Sequence, residues 1–254
     1  MLGLDAGTLA WAVAGSILAG FVNTLAGNGS AITLTVLTEL LGLPPVVANG
    51  TNRVGALAAA GTSAATYAAA GRIDWRAGRP LLLPVGLGAI AGGLLATQVS
   101  NDSFRAAFRM MLVLLLAAVL LRPKRWLAEA AARSRWPTWA LWGVGLAVGV
   151  YGGFIQMGFG PMFLALGVFG AGLSLAEANV YKVAVVAIYT PVLLVAFALA
   201  GQLDWRLGVF MAAGQAAAAF ATTRFAIHSP RSGQIAYGVL VVVVAVAVAR
   251  AYLL

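Results

Sequence analysis

The sequence predicts an all-α, polytopic integral membrane protein of about eight transmembrane segments, built as two homologous repeats with broken or re-entrant glycine-rich helices. Three observations carry that expectation. Of 254 residues, 62% are hydrophobic and 9% charged, with a mean hydropathy of +0.95, far from the balance of a soluble domain. The apolar residues fall in stretches, most of them about 20 residues long, enough at 1.5 Å per residue to cross about 30 Å of hydrocarbon. The polar residues between those stretches recur at a fixed offset.

Taken in order, the first stretch is Leu9–Ala26. It follows Asp5 with no early Lys or Arg, so it reads as a retained membrane segment and not as a cleaved leader. Ala31–Leu41 is short, reaching only about 16 Å as a helix, so it is half of a broken helix or one arm of a re-entrant hairpin. Val47–Ala70, Pro80–Val99 and Phe104–Leu121 are full spans. A basic linker follows, in which Arg122, Lys124, Arg125, Arg133 and Arg135 face one acid, Glu129, and the positive-inside rule puts it in the cytoplasm. Arg72, Arg76 and Arg79 lie two spans earlier and share that side. The pattern then returns as Trp139–Met157, the short Pro161–Ala171, Ala176–Ala200, Leu207–Ile227 and Gly233–Leu254. The chain divides into a first repeat (1–121), the linker (122–138) and a second repeat (139–254).

The repeat is arithmetic. Gly71, Asp74, Trp75, Arg76 and Gly78 recur as Gly201, Asp204, Trp205, Arg206 and Gly208, an offset of 130 throughout. The same shift carries Gly42 and Leu43 onto Gly172 and Leu173, and Ala48 and Asn49 onto Ala178 and Asn179. Duplicated membrane chains commonly place a substrate site at the repeat interface near the bilayer midplane. Parallel and inverted arrangements both stay open, since the residues do not say whether the short segment forms a hairpin.

Chemistry is expected where polar residues and glycines interrupt apolar helices, because broken backbone at membrane depth must be buried or line a cavity. The first such place is Asn23 to Ser30, with Gly27, Asn28 and Gly29, where a following half-helix would point its N-terminal N–H groups inward and favour an anion. An ordinary Asn-Gly surface turn is the competing reading. The second, Gly152 to Pro161, contains Gln156, Gly158 and Gly160; close helix packing is the alternative there. The third is a pair of helix starts: Asn49, Thr51, Asn52 and Arg53, and their counterparts around Asn179, Tyr181 and Lys182. Arg53 and Lys182 either flank a common cavity or snorkel to the headgroups. Glu39 and Glu177 are candidates for proton coupling or plain interfacial residues. The Asp-Trp-Arg loops read as helix caps and interface anchors, and His228 as a loop residue.

Charge sits at the ends of apolar runs without aromatic interleaving, so the net +9 does not indicate nucleic acid. Cysteine is absent and there is one His, which argues against thiolate, metal or cofactor sites and against an intramembrane enzyme. A carrier and a channel remain as classes.

The run Leu41-Gly42-Leu43-Pro44-Pro45-Val46-Val47-Ala48-Asn49-Gly50-Thr51-Asn52, followed by Gly71-Arg72-Ile73-Asp74-Trp75-Arg76 and duplicated downstream, resembles the TauE/SafE family of sulfite exporters and related anion permeases. The resemblance spans nearly the whole chain. It implies a multi-pass transporter of the bacterial inner membrane moving sulfite, sulfoacetate, thiosulfate or a related small anion by alternating access. The expected partners are that anion, the lipid bilayer and a coupling proton or ion, with a homo-oligomer also compatible. Departures are visible: Gly27-Asn28-Gly29-Ser30 stands where members often show a glycine run, and Val180-Tyr181 replaces the Gly-Thr of the first repeat.

Overall fold

The computed structural model describes residues 5–25, 27–104, 106, 110, 136–229, 231, 234–235, 238 and 242. Each described element is helical: α1 (Ala6–Leu25), α2 (Gly29–Thr35) continuing into a π turn (Val36–Leu40), α3 (Pro45–Ala69), α4 (Trp75–Ala96), α5 (Thr138–Ile155), α6 (Phe159–Ala165) with its own π turn (Leu166–Gly170), α7 (Leu175–Leu199) and α8 (Trp205–His228). The charged part of the basic linker, nearly all of the stretch Phe104–Leu121 and nearly all of Gly233–Leu254 lie outside the described residues.

Four described helices, α1, α4, α5 and α7, are both long and apolar enough to cross a membrane, against the expected total of about eight. Two of the expected spans, Phe104–Leu121 and Gly233–Leu254, fall almost wholly outside the described residues, and for two more the difference has a physical cause in α3 and α8. They have the length, 25 and 24 residues, but Asn49, Thr51, Asn52, Arg53 and Ser63 on α3, and Gln215, Thr222 and Thr223 on α8, dilute their apolarity. All of these side chains are buried against other helices, which is where polar groups at membrane depth belong. Outward faces are apolar, with Trp11, Trp139, Val195, Leu199 and Val209 exposed.

Local chemistry sets the helix starts. The Asp74 carboxylate accepts from the amides of Arg76 and Ala77, and Asp204 caps Leu207 in the same backbone conformation. That cap starts α4 at Trp75, five residues before the apolar stretch begins at Pro80, so Pro80 and Pro84 sit inside the helix. Ser174 and Glu177 form a capping box at the head of α7. His228 closes the last turn of α8 instead of lying in a loop, its Nδ1 2.7 Å from the Arg224 carbonyl oxygen.

The short segments are arms of hairpins. Gly29 lies against Ala19 and Asn23, and Val36 against Gly15, so α2 runs back along α1. In the same way Phe159 packs on Gly152, and Trp136 N donates to the Gly170 carbonyl at 2.8 Å. The long helices α3 and α7 cross the centre in opposite directions: Gly50, near the start of α3, meets Gln202 just beyond the end of α7, while Tyr67, near the end of α3, meets Asn179 near the start of α7. Between α4 and α5 the backbones nearly touch through Gly88, Gly92, Gly149 and Gly153. Adding 130 to the bounds of α2, its π turn and α3 yields those of α6, its π turn and α7. Pairing of α1 with α8 likewise has its counterpart in α5 with α4.

Candidate functional site

The two hairpin tips meet at the centre of the molecule. Gly27, with φ 75°, and Gly160 approach Cα to Cα, leaving no room for a Cβ on either; the left-handed φ separately favours glycine at position 27. Beside them Asn28, fully buried, accepts the Gly158 amide through its Oδ1 at 3.0 Å. One N–H that the sequence reading offers to a substrate is therefore already taken by a side chain of the other hairpin. The surface-turn reading of residues 23–30 fails on burial: Asn28, Gly29 and Ser30 are all inside.

Lys182 dominates the polar chemistry of this centre. Its side chain is 3% exposed, so it does not snorkel. The ammonium donates to the Asn23 and Thr24 carbonyls at 2.8 and 3.2 Å and to Asn179 Oδ1 at 2.6 Å. Three N–H groups meet three neutral acceptors, and no described Asp or Glu is buried. Glu39 and Glu177 are exposed, the latter engaged in its cap. The charge thus has hydrogen bonds but no counter-ion among the described residues.

A small cavity lies beside Lys182, about 10 Å³ to the centre of a water-sized sphere, room for roughly one water. Its walls include Asn23, Gly27, Gln156, Gly160 and Lys182 from the sequence-predicted set. Thr24, Ala59, Ala60, Ser63, Phe159, Val183 and Val186 complete it and were not foreseen. Ser63 carried a readable signal, a hydroxyl beside Thr62 in an Ala- and Gly-rich stretch of helix. It accepts from the Thr223 hydroxyl at 2.9 Å, tying α3 to α8.

The first-repeat helix start works on the other hairpin. Asn49 Nδ2 donates to the Phe154 carbonyl at 3.0 Å, and Asn52 Nδ2 to Gln156 Oε1 at 3.1 Å. Arg53 Nη2 bonds the Gly153 carbonyl, with the guanidinium over the Phe197 ring at 4.9 Å. Gln156 itself holds a left-handed φ of 52° at the end of α5, which an over-determined surrounding must maintain. Thr51 and Tyr181 serve the scaffold: Thr51 Oγ1 accepts the Asp204 amide at 2.9 Å, and Tyr181 Oη donates to the Asp74 carbonyl at 3.0 Å. Among the described residues no group of three or more His, Cys, Asp or Glu could hold a metal.

A multi-helix membrane protein with paired hairpins and a buried cation at their meeting point belongs to the transporter class. The chain belongs to the sulfite exporter TauE/SafE family, whose pattern matches residues 12–249, and this family comprises membrane transporters, not enzymes. It is similar to the "Probable membrane transporter protein ORF9" of Sinorhizobium sp., 27% identical over 219 residues, covering 86% of this chain and 83% of that one. A Haemophilus influenzae "Probable membrane transporter protein" is 28% identical over 203 residues, covering 78% and 76%. "Probable membrane transporter protein YfcA" of Escherichia coli K12 is 28% identical over 201 residues, covering 79% and 74%. No solved structure matches. The protein is thus a polytopic helical transporter of the bacterial inner-membrane type.

Proposed function

We propose that the protein is a secondary carrier for a small anion, sulfite or a related sulfur-containing or organosulfonate anion, working by alternating access. The observation that carries this reading is Lys182: a buried cation, bonded only to neutral acceptors, beside a cavity at the meeting of two hairpins. An isolated buried charge is costly, and an anion in the cavity would supply the missing partner.

The binding set in this proposal is Asn23, Gly27, Gln156, Gly160 and Lys182 around the cavity, with Asn28, Gly29, Ser30, Asn49, Asn52, Arg53, Gly158 and Asn179 supporting it. Lys182 on α7 bonds the end of α1, and Asn52 on α3 bonds Gln156 at the end of α5. Each long helix thereby holds one hairpin. An anion adds a Coulombic attraction that the neutral carbonyl and amide oxygens now bonded to Lys182 lack, so an arriving anion competes for the ammonium and loosens its grip on the first hairpin. The cavity has room for about one water, less than an oxyanion needs, which favours a carrier that must move over a standing pore.

We further propose two inverted repeats, 1–121 and 139–254, around a cytoplasmic linker at 122–138. Support comes from the hairpin form of α1–α2 and α5–α6 and the opposed directions of α3 and α7. A hairpin adds no net crossing, so three spans per repeat, the third in each being the sequence-predicted Phe104–Leu121 and Gly233–Leu254, would invert the second copy and keep the Arg72–Arg79 loop on the linker's side. The function is tested in proteoliposomes with radiolabelled sulfite. Saturable uptake with counterflow is expected; conductance far above carrier turnover would indicate a channel, and no flux of sulfite, thiosulfate or sulfoacetate would overturn the substrate class.

A further inference from the structure

Shifting the walls of the Lys182 cavity by the repeat offset leads to a second polar centre. Ala59, Ala60, Lys182 and Val183 of the cavity correspond to Tyr189, Thr190, Asn52 and Arg53. Where the first centre has two alanines and a valine, the second has two hydroxyls and a guanidinium. Arg53, Tyr189 and Thr190 are all buried, at 0%, 1% and 0% exposure.

Their donors are in surplus. Arg53 Nη2 bonds the Gly153 carbonyl, but Nε and Nη1, which together carry three of the five guanidinium N–H donors, find no acceptor among the described residues. The Tyr189 and Thr190 hydroxyls are also without partners there, and the repeat counterparts of Arg53, Tyr189 and Thr190, namely Val183, Ala59 and Ala60, line one cavity. No described carboxylate is buried near them. The walls are aromatic: Phe197 faces Arg53, and Phe159 meets Tyr189 edge-on at 6.0 Å between centroids. Phe159 also lines the Lys182 cavity, so the two centres share a wall.

A role confined to scaffolding does not account for this arrangement. The Gly153 bond and the stacking on Phe197 engage one guanidinium nitrogen and one face. They leave three N–H groups desolvated, and each unmade bond to a buried charged group costs more than a neutral one. A permanent cation together with buried hydroxyls at the positions equivalent to the cavity walls, without carboxylate, is the donor set that recognises an oxyanion.

The geometry points to a second anion subsite at Arg53, Tyr189 and Thr190, repeat-related to the Lys182 cavity and taking the same class of small oxyanion, so that the chain binds two anions. This rests on the anion-carrier reading above. The asymmetry is then a division of labour between a lysine whose bonds latch a hairpin and an arginine three of whose N–H donors find no acceptor among the described residues.

Equilibrium binding of radiolabelled sulfite to the purified full-length chain, in chloride-free gluconate buffer, tests it. The wild type is expected to bind two sulfites per chain and Lys182→Met one. Tyr189→Phe with Thr190→Val, which leaves Arg53 and its Gly153 bond in place, weakens one of the two by about tenfold or more and spares the other. Arg53→Gln in the Lys182→Met background removes the remaining site, provided the protein stays monodisperse; if it does not, the Tyr189 and Thr190 pair decides. A stoichiometry of one in the wild type, abolished by Lys182→Met, overturns the second subsite and leaves the Lys182 reading intact. Two sites insensitive to the Tyr189 and Thr190 changes also overturn it. No sulfite binding to folded wild type overturns both readings.

Discussion

Lys182→Met separates a substrate-binding lysine from a structural one. The side chain makes three hydrogen bonds, at 2.6, 2.8 and 3.2 Å, to Asn179 Oδ1 and the Asn23 and Thr24 carbonyls. A hydrogen bond involving a charged group contributes about 1.5–3 kcal/mol. If the anion takes over one such bond, its loss raises the transport KM by about 10- to 150-fold. Folding stability should respond quite differently. Met fills a similar volume and removes a buried ion whose desolvation costs several kcal/mol, which offsets the three bonds lost to neutral acceptors, so Tm is expected to move little. The assay is initial-rate uptake of radiolabelled sulfite into proteoliposomes, with Tm measured on the same preparation. A KM within about threefold of wild type at unchanged Tm would refute the assignment, because about 0.65 kcal/mol is too little for a lost charge-assisted contact.

The remaining predictions follow from the same geometry. Gly27→Ala places a methyl where the Gly160 backbone already lies, so a loss of about 1–3 kcal/mol is expected, read as a lower Tm; an unchanged Tm would mean the hairpin tips do not touch. Gln156→Ala removes the acceptor of Asn52, costing about 1 kcal/mol in stability and lowering transport; full transport in this variant and in Asn28→Ala would sink the proposed site. Asp74→Ala and Asp204→Ala each lose a helix cap worth about 0.5–2 kcal/mol, lowering Tm with KM unchanged. The native chain has no cysteine, so Arg76→Cys and Trp205→Cys give clean topology probes. In intact cells an impermeant maleimide should label position 205 and spare 76; labelling of both would contradict the inverted arrangement.

Much of this architecture was readable before any coordinates. Composition and segment length announce a helical membrane protein, and the loop Gly71, Asp74, Trp75, Arg76, Gly78 announces a second copy because such residues seldom recur in register by accident. The two short segments were legible as incomplete crossings from length alone. Their fold-back was not, since it is fixed by Gly29 against Ala19 and Phe159 against Gly152, contacts that no periodicity encodes. The site was half legible. Lys182, Asn23 and Gln156 stand out as polar residues in apolar runs, whereas Ala59, Ala60, Val183 and Val186 look like any other lipid-compatible residue. Thr51 and Tyr181 were over-read, because a polar residue near a helix start is as useful for holding a neighbouring loop, and the Asp204 amide and Asp74 carbonyl are what they hold.

The bond between Asn28 and Gly158 joins two positions that differ by the repeat offset, so in the inverted arrangement proposed above it would lie on the axis relating the halves. In a dimer of identical chains, residues on such an axis are compelled to be alike, since one gene writes both. A single chain carrying both halves is released from that constraint. Here the Asn28 side chain accepts from the backbone of Gly158, so the two equivalent positions carry different residues, which two identical protomers could not. On the two-repeat proposal, joining the halves gives this molecule an asymmetric centre, and any change at position 28 or 158 acts on both hairpins at once.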